Sequence, residues 1–396
     1  MAGKHWNEST LPIDIVGISE GQSVRWDGSK LVPYIPGGGT SPVDGLIKLD
    51  KWSPCIVKTG GQTASIKAGT VFDGVSFAVD TPITMPTLTA GEDYSVWVHP
   101  DGTASAVAET DYSSPTVSAA PPVSGAKCIG GFHYGLVPHD ATVASGGFAT
   151  SGGGHHWVQA DVDKIRGINA FSIWDLSWRA NTDDLRAQRG FAYVPPVKKW
   201  VAIYMANTDT DANGLSGAGT NMLSGTVAAK RPARFGGDGT ATYNDTNWYA
   251  CSEIAAAYGA RLMWETEFQQ AAYGVTEAQS IGGANATYPT TERNAGYTSL
   301  YGIEQASGHH YTWGADTTAR VDSGTTSGEW RAVTAGRGSV WSSGTNGQSL
   351  IKVRLGGGRT GGSVSGSRCS LWSDWPWRVL WGMGLRAACD HLQLGA

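Results

Sequence analysis

The chain has 396 residues, with 29 Lys and Arg against 34 Asp and Glu and a net charge of −5. A negative total argues against a general nucleic-acid binder, and no run approaches the ~18 apolar residues of a transmembrane helix, so we expect no nucleic-acid partner and no membrane insertion. Charged residues make up only 16%, with 55 glycines and 17 tryptophans; set against a usual charged share of about 25%, this favours short strands, tight turns and rigid loops over helical bundles.

The length suffices for two to four domains and a core that needs no staples. The N-terminal stretch MAGKHWNESTLPIDIVG lacks an apolar signal segment, so export by the general secretory route is not expected. The five cysteines, Cys55, Cys128, Cys251, Cys369 and Cys389, show no CxxC or zinc spacing. Charge is uneven: from Arg331 to the end, eight Arg or Lys against two acids give +6, leaving −11 for the rest. We expect most arginines of that basic end to pair internally.

Residues 1–41 hold a hairpin signal, with Val24 and Trp26 on one side of Asp27-Gly28 and Leu31, Tyr34 and Ile35 on the other. This β-element is too small to fold alone, so other copies of the chain are expected to cover its apolar face. Residues 42–150 read as all-β and sandwich-like, with turns at Gly60-Gly61, Asp73-Gly74 and Pro100-Asp101-Gly102. Tyr94, Val96 and Val98 alternate with Ser95, Trp97 and His99. A Gly/Ser-rich boundary precedes His155.

From 155 to 396 the pattern is mixed. The helical stretch places Ile254, Ala255 and Tyr258 on one face, Gly259 interrupts it, and a second helix runs through Phe268, Ala271 and Ala272 with Thr266 at or near its cap. After Gly274 the chain reads as loop-rich, with brief strands such as SLIKVRL. Such a length of loop points to a fold whose loops pack internally.

Several constellations carry candidate chemistry. The tandem pairs His155-His156 and His309-His310 read as exposed loop histidines, because neighbours on extended chain face opposite ways. Asp209, Asp211, Asn213 and Gly214 match the first half of a calcium loop, but Thr220 stands where the bidentate Glu belongs; a polar turn is preferred and calcium stays open. GISEG at 17–21 resembles a nucleophile elbow, yet a strand follows it, so Ser19 is set aside. Trp372 and Trp381 read as core, whereas Trp375 and Trp377 stay open between core and binding anchor.

The stretch ACSEIAAAYGARLMWETEFQQAAYG resembles the signature of the formylglycine-generating-enzyme branch of the C-type lectin fold. SLYGIEQASGHHYTWGAD and GLRAACDHL are similar to its central and closing segments. The match is closer to the variable proteins of diversity-generating retroelements, and closest to their phage-borne members. INAFSIWDLSWR, RGFAYV and KKWVAIYM are similar to the opening of their lectin domain, and LGGGRTGGSVSGSRCSLWSDWPW is similar to their closing segment. The likeness covers about residues 155–396; for 1–150 only the general plan is similar.

The resemblance implies an α+β protein: a C-type lectin-like C-terminal domain preceded by small all-β units, β-prism or β-sandwich-like. It implies a homotrimeric receptor-binding protein of a phage tail fibre, carried on the virion and binding a host cell-surface receptor, protein or glycan, without a cofactor. The receptor-contacting, variable positions carried over are Gly358, Thr360, Gly362, Val364, Leu371, Ser373, Asp374, Arg378, Leu380, Gly382 and Met383, with Trp375 as a fixed anchor, inside a region at about 337–394. The scaffold positions are Gly356, Gly357, Gly361, Ser365, Gly366, Ser367, Arg368, Trp372, Pro376, Gly384, Arg386, Cys389, Asp390 and His391. Display and scaffold positions interleave, as an extended segment with one packed and one free side would require. The alternatives are an oxidase, which would need a reactive cysteine pair, and a purely structural tail protein. Cys369 and Cys389 read as buried structural thiols, and Glu265 and Glu267 as groups that orient backbone and Arg side chains.

Overall fold

The computed structural model describes residues 23–26, 31–34, 45–148, 154–282, 290–319, 329–331, 339–342 and 350–392. Ser19 and its GISEG motif lie outside these, as do parts of the expected variable region. Ser23–Trp26 pairs antiparallel with Leu31–Tyr34, Trp26 opposite Leu31, which is the hairpin expected about Asp27-Gly28.

The next region builds three small sheets around one core that includes Leu46, Ile66, Phe72, Val96 and Phe132. Its turns fall where the sequence marks them. Thr70–Phe72 and Val75–Phe77 pair across Asp73-Gly74, whose φ angles are +49° and +84°; two consecutive positive φ values are what a tight type I′ hairpin turn demands. Asp93–Val98 pairs with Ala104–Ala108 across the Pro100-Asp101-Gly102 turn. Tyr94, Val96 and Val98 enter the shared core, while Trp97 packs with Ala119 and Ala126 on the other face. The packing runs past residue 150: Ile168 and Ile173 join the same core, and Trp174–Asp175 adds an edge strand beside Lys127–His133. Lys48 and Asp175 form an ion pair of 2.8 Å, both buried, at this seam.

The remaining chain forms two sheets and two principal helices. One sheet orders Phe191–Val194, Lys199–Ala202, Ala387–Asp390 and Arg261–Leu262. The other has six strands, in the order Glu329–Arg331, Val340–Ser342, Ser370–Asp374, Leu350–Leu355, Tyr311–Ala319 and Met383–Gly384. Helix Trp248–Ala257 starts at Asn247, whose side chain accepts from the Ala250 N–H at 3.0 Å, the usual asparagine cap. Ile254, Ala255 and Tyr258 are buried as expected. Helix Glu265–Ala271 follows; Thr266 sits in its first turn, and the Glu267 carboxylate accepts the Trp264 N–H at 2.9 Å.

The expectation of loop after Gly274 understates the order there. Tyr311–Ala319 is a nine-residue strand. Its pairing with Leu350–Leu355 is irregular between Trp313 and Thr317, which breaks the period-two alternation that marks a strand in sequence. The true loops are held from within. The buried Arg386 guanidinium donates to the carbonyls of Ala202, Ile203 and Glu304 at 2.6–2.7 Å, tying the 303–305 loop to the central sheet. Buried carbonyls must find donors, and a fixed fork of N–H groups supplies several at once.

Candidate functional site

Ser370–Asp374 lies inside the six-stranded sheet, parallel to Val340–Ser342 and antiparallel to Leu350–Leu355. The glycine-rich loop ahead of it is braced by the 277–282 segment. Ser367 gives its N–H (2.9 Å) and hydroxyl (2.5 Å) to the Glu277 carboxylate, the Gly282 N–H reaches the Arg359 carbonyl (2.9 Å), and the Gly362 N–H reaches Ser280 Oγ (2.9 Å). Most scaffold positions are interior: Gly356, Gly357, Ser365, Gly366, Ser367, Pro376, Gly384, Arg386 and Cys389 are buried. Gly361, Arg368 and Trp372 are half-buried, and His391 is wedged against Trp178 and Tyr193. Asp390 is exposed but engaged by Lys199 (2.8 Å) and Arg261 (3.1 Å).

The display positions divide. Thr360, Gly362 and Trp375 are exposed, and Gly358, Val364, Ser373, Arg378, Leu380 and Gly382 are half-buried. Leu371, Asp374 and Met383 are buried, against the expectation that they face outward. The cause is local. The pairing of Ser370–Asp374 with Leu350–Leu355 shifts between Lys352 and Val353, so Ser373 has no opposite partner. An extra residue reverses which side chains point which way, and Asp374 turns inward. There its carboxylate forms ion pairs with the Nε atoms of Arg354 and, at 2.9 Å, Arg378. Leu371 sits in mid-sheet, and Met383 pairs with Tyr311 and packs into the main core.

Aromatic and cationic side chains flank this frame, Lys352 buried, Arg354 and Arg378 half-buried and Trp375 exposed. Arg378 lies 5.1 Å from the Trp375 ring, Arg354 4.8 Å from Tyr311, and Lys352 3.5 Å from Trp248. Trp377 is 66% exposed and Trp381 38%; Trp381 is thus not the core residue expected. It occupies the irregular 375–382 segment, which pairs with no strand among the described residues. The loop is nevertheless pinned. The Trp248 N–H donates to the Pro376 carbonyl at 3.1 Å, and the Tyr311 N–H to that of Gly382 at 2.9 Å. Tyr311, Arg354, Trp248 and Tyr249 were not singled out from sequence. The one available cue was the Trp-Tyr pair opening a helix whose buried face is set by Ile254 and Ala255.

A family model described as Mtd second domain matches residues 54–158. The tail fiber receptor-binding protein of Bordetella phage BPP-1 is 36% identical over 360 residues, 88% of this chain and 85% of that protein. The chain belongs to the major tropism determinant family. Two solved relatives agree. The Major Tropism Determinant M1 Variant has 35% identity and a TM-score of 0.68 over 88% of this chain and 85% of its own. The I1 Variant has 32% identity and a TM-score of 0.68 over 94% of each. As in the family, the fold is α+β: a C-type lectin-like domain with small all-β units ahead of it.

Within this tropism-determinant fold, the other candidate chemistries resolve as structure. His309 and His310 are buried, not exposed as expected, with rings 5.5 Å apart. Burial pushes their pKa values down to about 3 and about 4. His155 bonds Asp161 at 2.7 Å, while His156 is exposed. In the half calcium loop, Asp209 caps a short helix by accepting the Ala212 N–H and pairs with Lys230. Asp211 accepts the Tyr258 hydroxyl at 2.6 Å and faces Arg186 at 3.3 Å. These carboxylates are occupied by protein cations and donors, and no cluster of three or more His, Cys, Asp or Glu able to hold a metal occurs among the described residues. Glu267 grips Arg261 with both oxygens, at 2.6 and 2.7 Å, the orienting role expected of it. Cys369 and Cys389 are buried free thiols, pushed up to about 12 by burial.

Proposed function

We propose that this chain is the receptor-binding protein of a phage tail fibre, carried on the virion as a homotrimer, and that its closing segment meets a host cell-surface receptor. The observation that carries the reading is the division of that segment. A buried, hydrogen-bonded frame holds Gly358, Thr360, Gly362, Val364, Ser373, Trp375, Arg378, Leu380 and Gly382 at or near the surface. Leu371, Asp374 and Met383 belong to the frame in this chain. Rigid aromatic and arginine groups suit a binding surface because they bury much area at little entropic cost. Several copies on one particle would raise avidity by about 10²–10⁴ without new contacts, so individually weak contacts suffice. The oxidase alternative needs a reactive thiolate, and burial of Cys369 and Cys389 works against one.

The test is adsorption to host cells by intact particles carrying Trp375→Ala and Arg378→Ala together. Loss of adsorption with normal particle assembly supports display. Unchanged adsorption would mean a structural tail role only.

A further inference from the structure

The exposed surface does not end at the closing segment. Trp377 is the most exposed tryptophan of that segment, at 66%, yet its ring is not loose. It rests on Tyr249 with ring centroids 4.5 Å apart and planes at 45°. Tyr249 in turn lies edge-on to Trp248, at 5.2 Å and 84°. Trp248 is fixed at three points: its N–H holds the Pro376 carbonyl (3.1 Å), its indole N–H holds the Gly314 carbonyl (2.9 Å), and Lys352 caps its ring. Buried Pro376 separates two outward tryptophans, with Arg378 against Trp375 and Tyr249 against Trp377.

An unsupported exposed tryptophan would sample many rotamers and lose that freedom on binding. One already packed against a helix side chain does not. Neither Tyr249 nor Trp377 is among the display positions that the family resemblance assigns. Tyr249 comes from helix Trp248–Ala257, which is capped by Asn247 and buries Ile254 and Ala255 in the main core. We infer that Tyr249 and Trp377 form a constant aromatic anchor of the receptor-binding face, beside the exchangeable positions, with Tyr249 holding the Trp377 ring in its binding orientation. The inference rests on the receptor-binding reading above. It assigns a division of labour: the anchor supplies contact that persists when neighbouring side chains change, and the display positions select among receptors.

The experiment uses complete particles carrying the full chain, with host cells as the probe, and follows the adsorption rate constant and the thermal midpoint of the purified protein. Trp377→Ala should leave the midpoint close to that of the parent, because the ring is largely exposed, and should slow adsorption about tenfold or more, the size of a hot-spot loss. Tyr249→Ala should slow it in the same direction, and Tyr249→Phe should restore it, since the ring and not the hydroxyl supports Trp377. The double variant Y249A/W377A should adsorb no worse than W377A alone, because both remove one anchor. Normal adsorption by W377A, with loss in the Trp375/Arg378 variant, overturns the anchor and leaves the receptor-binding reading standing. Normal adsorption by both overturns both. A defect in Y249A without one in W377A shows that Tyr249 acts only through packing, and also overturns the anchor.

Discussion

Asp374→Asn is the sharpest test of how the closing segment is built. The carboxylate is fully buried and faces Arg354, whose side chain is 12% exposed, and Arg378, which is 38% exposed. Burial pushes the Arg354 pKa down, and Asp374 is the largest influence opposing it. Asparagine keeps the shape and removes the charge. Arg378 can turn to water and is worth little here, but Arg354 cannot. Its guanidinium also lies 4.8 Å from the Tyr311 ring and 3.8 Å from the Met383 sulfur, and neither replaces a counter-ion. Stripping one partner from a buried ion pair costs about 3–5 kcal/mol. At about 2–4 °C per kcal/mol for a domain of this size, the lectin-domain transition should fall by roughly 6–20 °C. The assay is thermal unfolding of the full chain by tryptophan fluorescence at one fixed heating rate. Replacing both members, Arg354→Met with Asp374→Leu, should recover most of the loss, because no buried charge is then left alone. An unchanged midpoint for Asp374→Asn would refute the reasoning and return Asp374 to the exchangeable surface.

The other expectations are more compact. Acid should destabilise the protein between pH 6.5 and about 4: His309, His310 and His391 are held neutral by burial, at about 3, 4 and 4, so the unfolded chain takes up protons first as pH falls. Glu304, raised to about 7, pulls the other way between about 4.5 and 7 but is outnumbered, and the urea midpoint of a His309→Gln, His310→Gln variant should vary less with pH than the parent's. Native protein should resist a thiol reagent at pH 8, since burial lifts Cys128, Cys251, Cys369 and Cys389 to about 12 and Cys55 well above its ordinary value; all five thiols should react in denaturant. Gly225→Ala would place its Cβ 1.6 Å from the Leu380 carbonyl oxygen, so it should cost about 1–3 kcal/mol or more and shift the loop. Gly382→Ala meets nothing within 4 Å and should leave the melting curve unchanged.

Local chemistry made much of the fold legible. The Asp73-Gly74 turn, the hairpin at Pro100-Asp101-Gly102 and the helix with Ile254, Ala255 and Tyr258 inward all follow from short-range rules that a few residues satisfy. Long-range features were not legible in the same way. His309 and His310 carry no sign of burial in their own stretch. Their burial goes with contacts from far along the chain: Arg386 holds the Glu304 and Gln305 carbonyls of the loop that leads into them. Tyr311–Ala319 hid as loop because its pairing is irregular and the middle of its run, Gly-Ala-Asp, has no strand preference.

In the proposed display segment, the facing of side chains was only partly legible. Alternation along an extended segment assumes that one side is packed and the other free. That fits the loop at 358–364, where Thr360 and Gly362 are open. It fails in Ser370–Asp374, which has strands on both edges and an extra residue at Ser373. Beyond Asp374 the chain leaves the sheet, and Pro376, held by Trp248, sets the alternation anew: Trp375 and Trp377 outward, Pro376 inward. The outward side chains of this face are therefore fixed less by their own sequence than by three pins from elsewhere, Trp248, Tyr311 and Arg354. Exchange at Trp375, Arg378, Leu380 or Gly382 leaves those pins in place, whereas exchange at Asp374 removes the charge that holds one of them. Substitution should therefore be tolerated at the first group and not at the last.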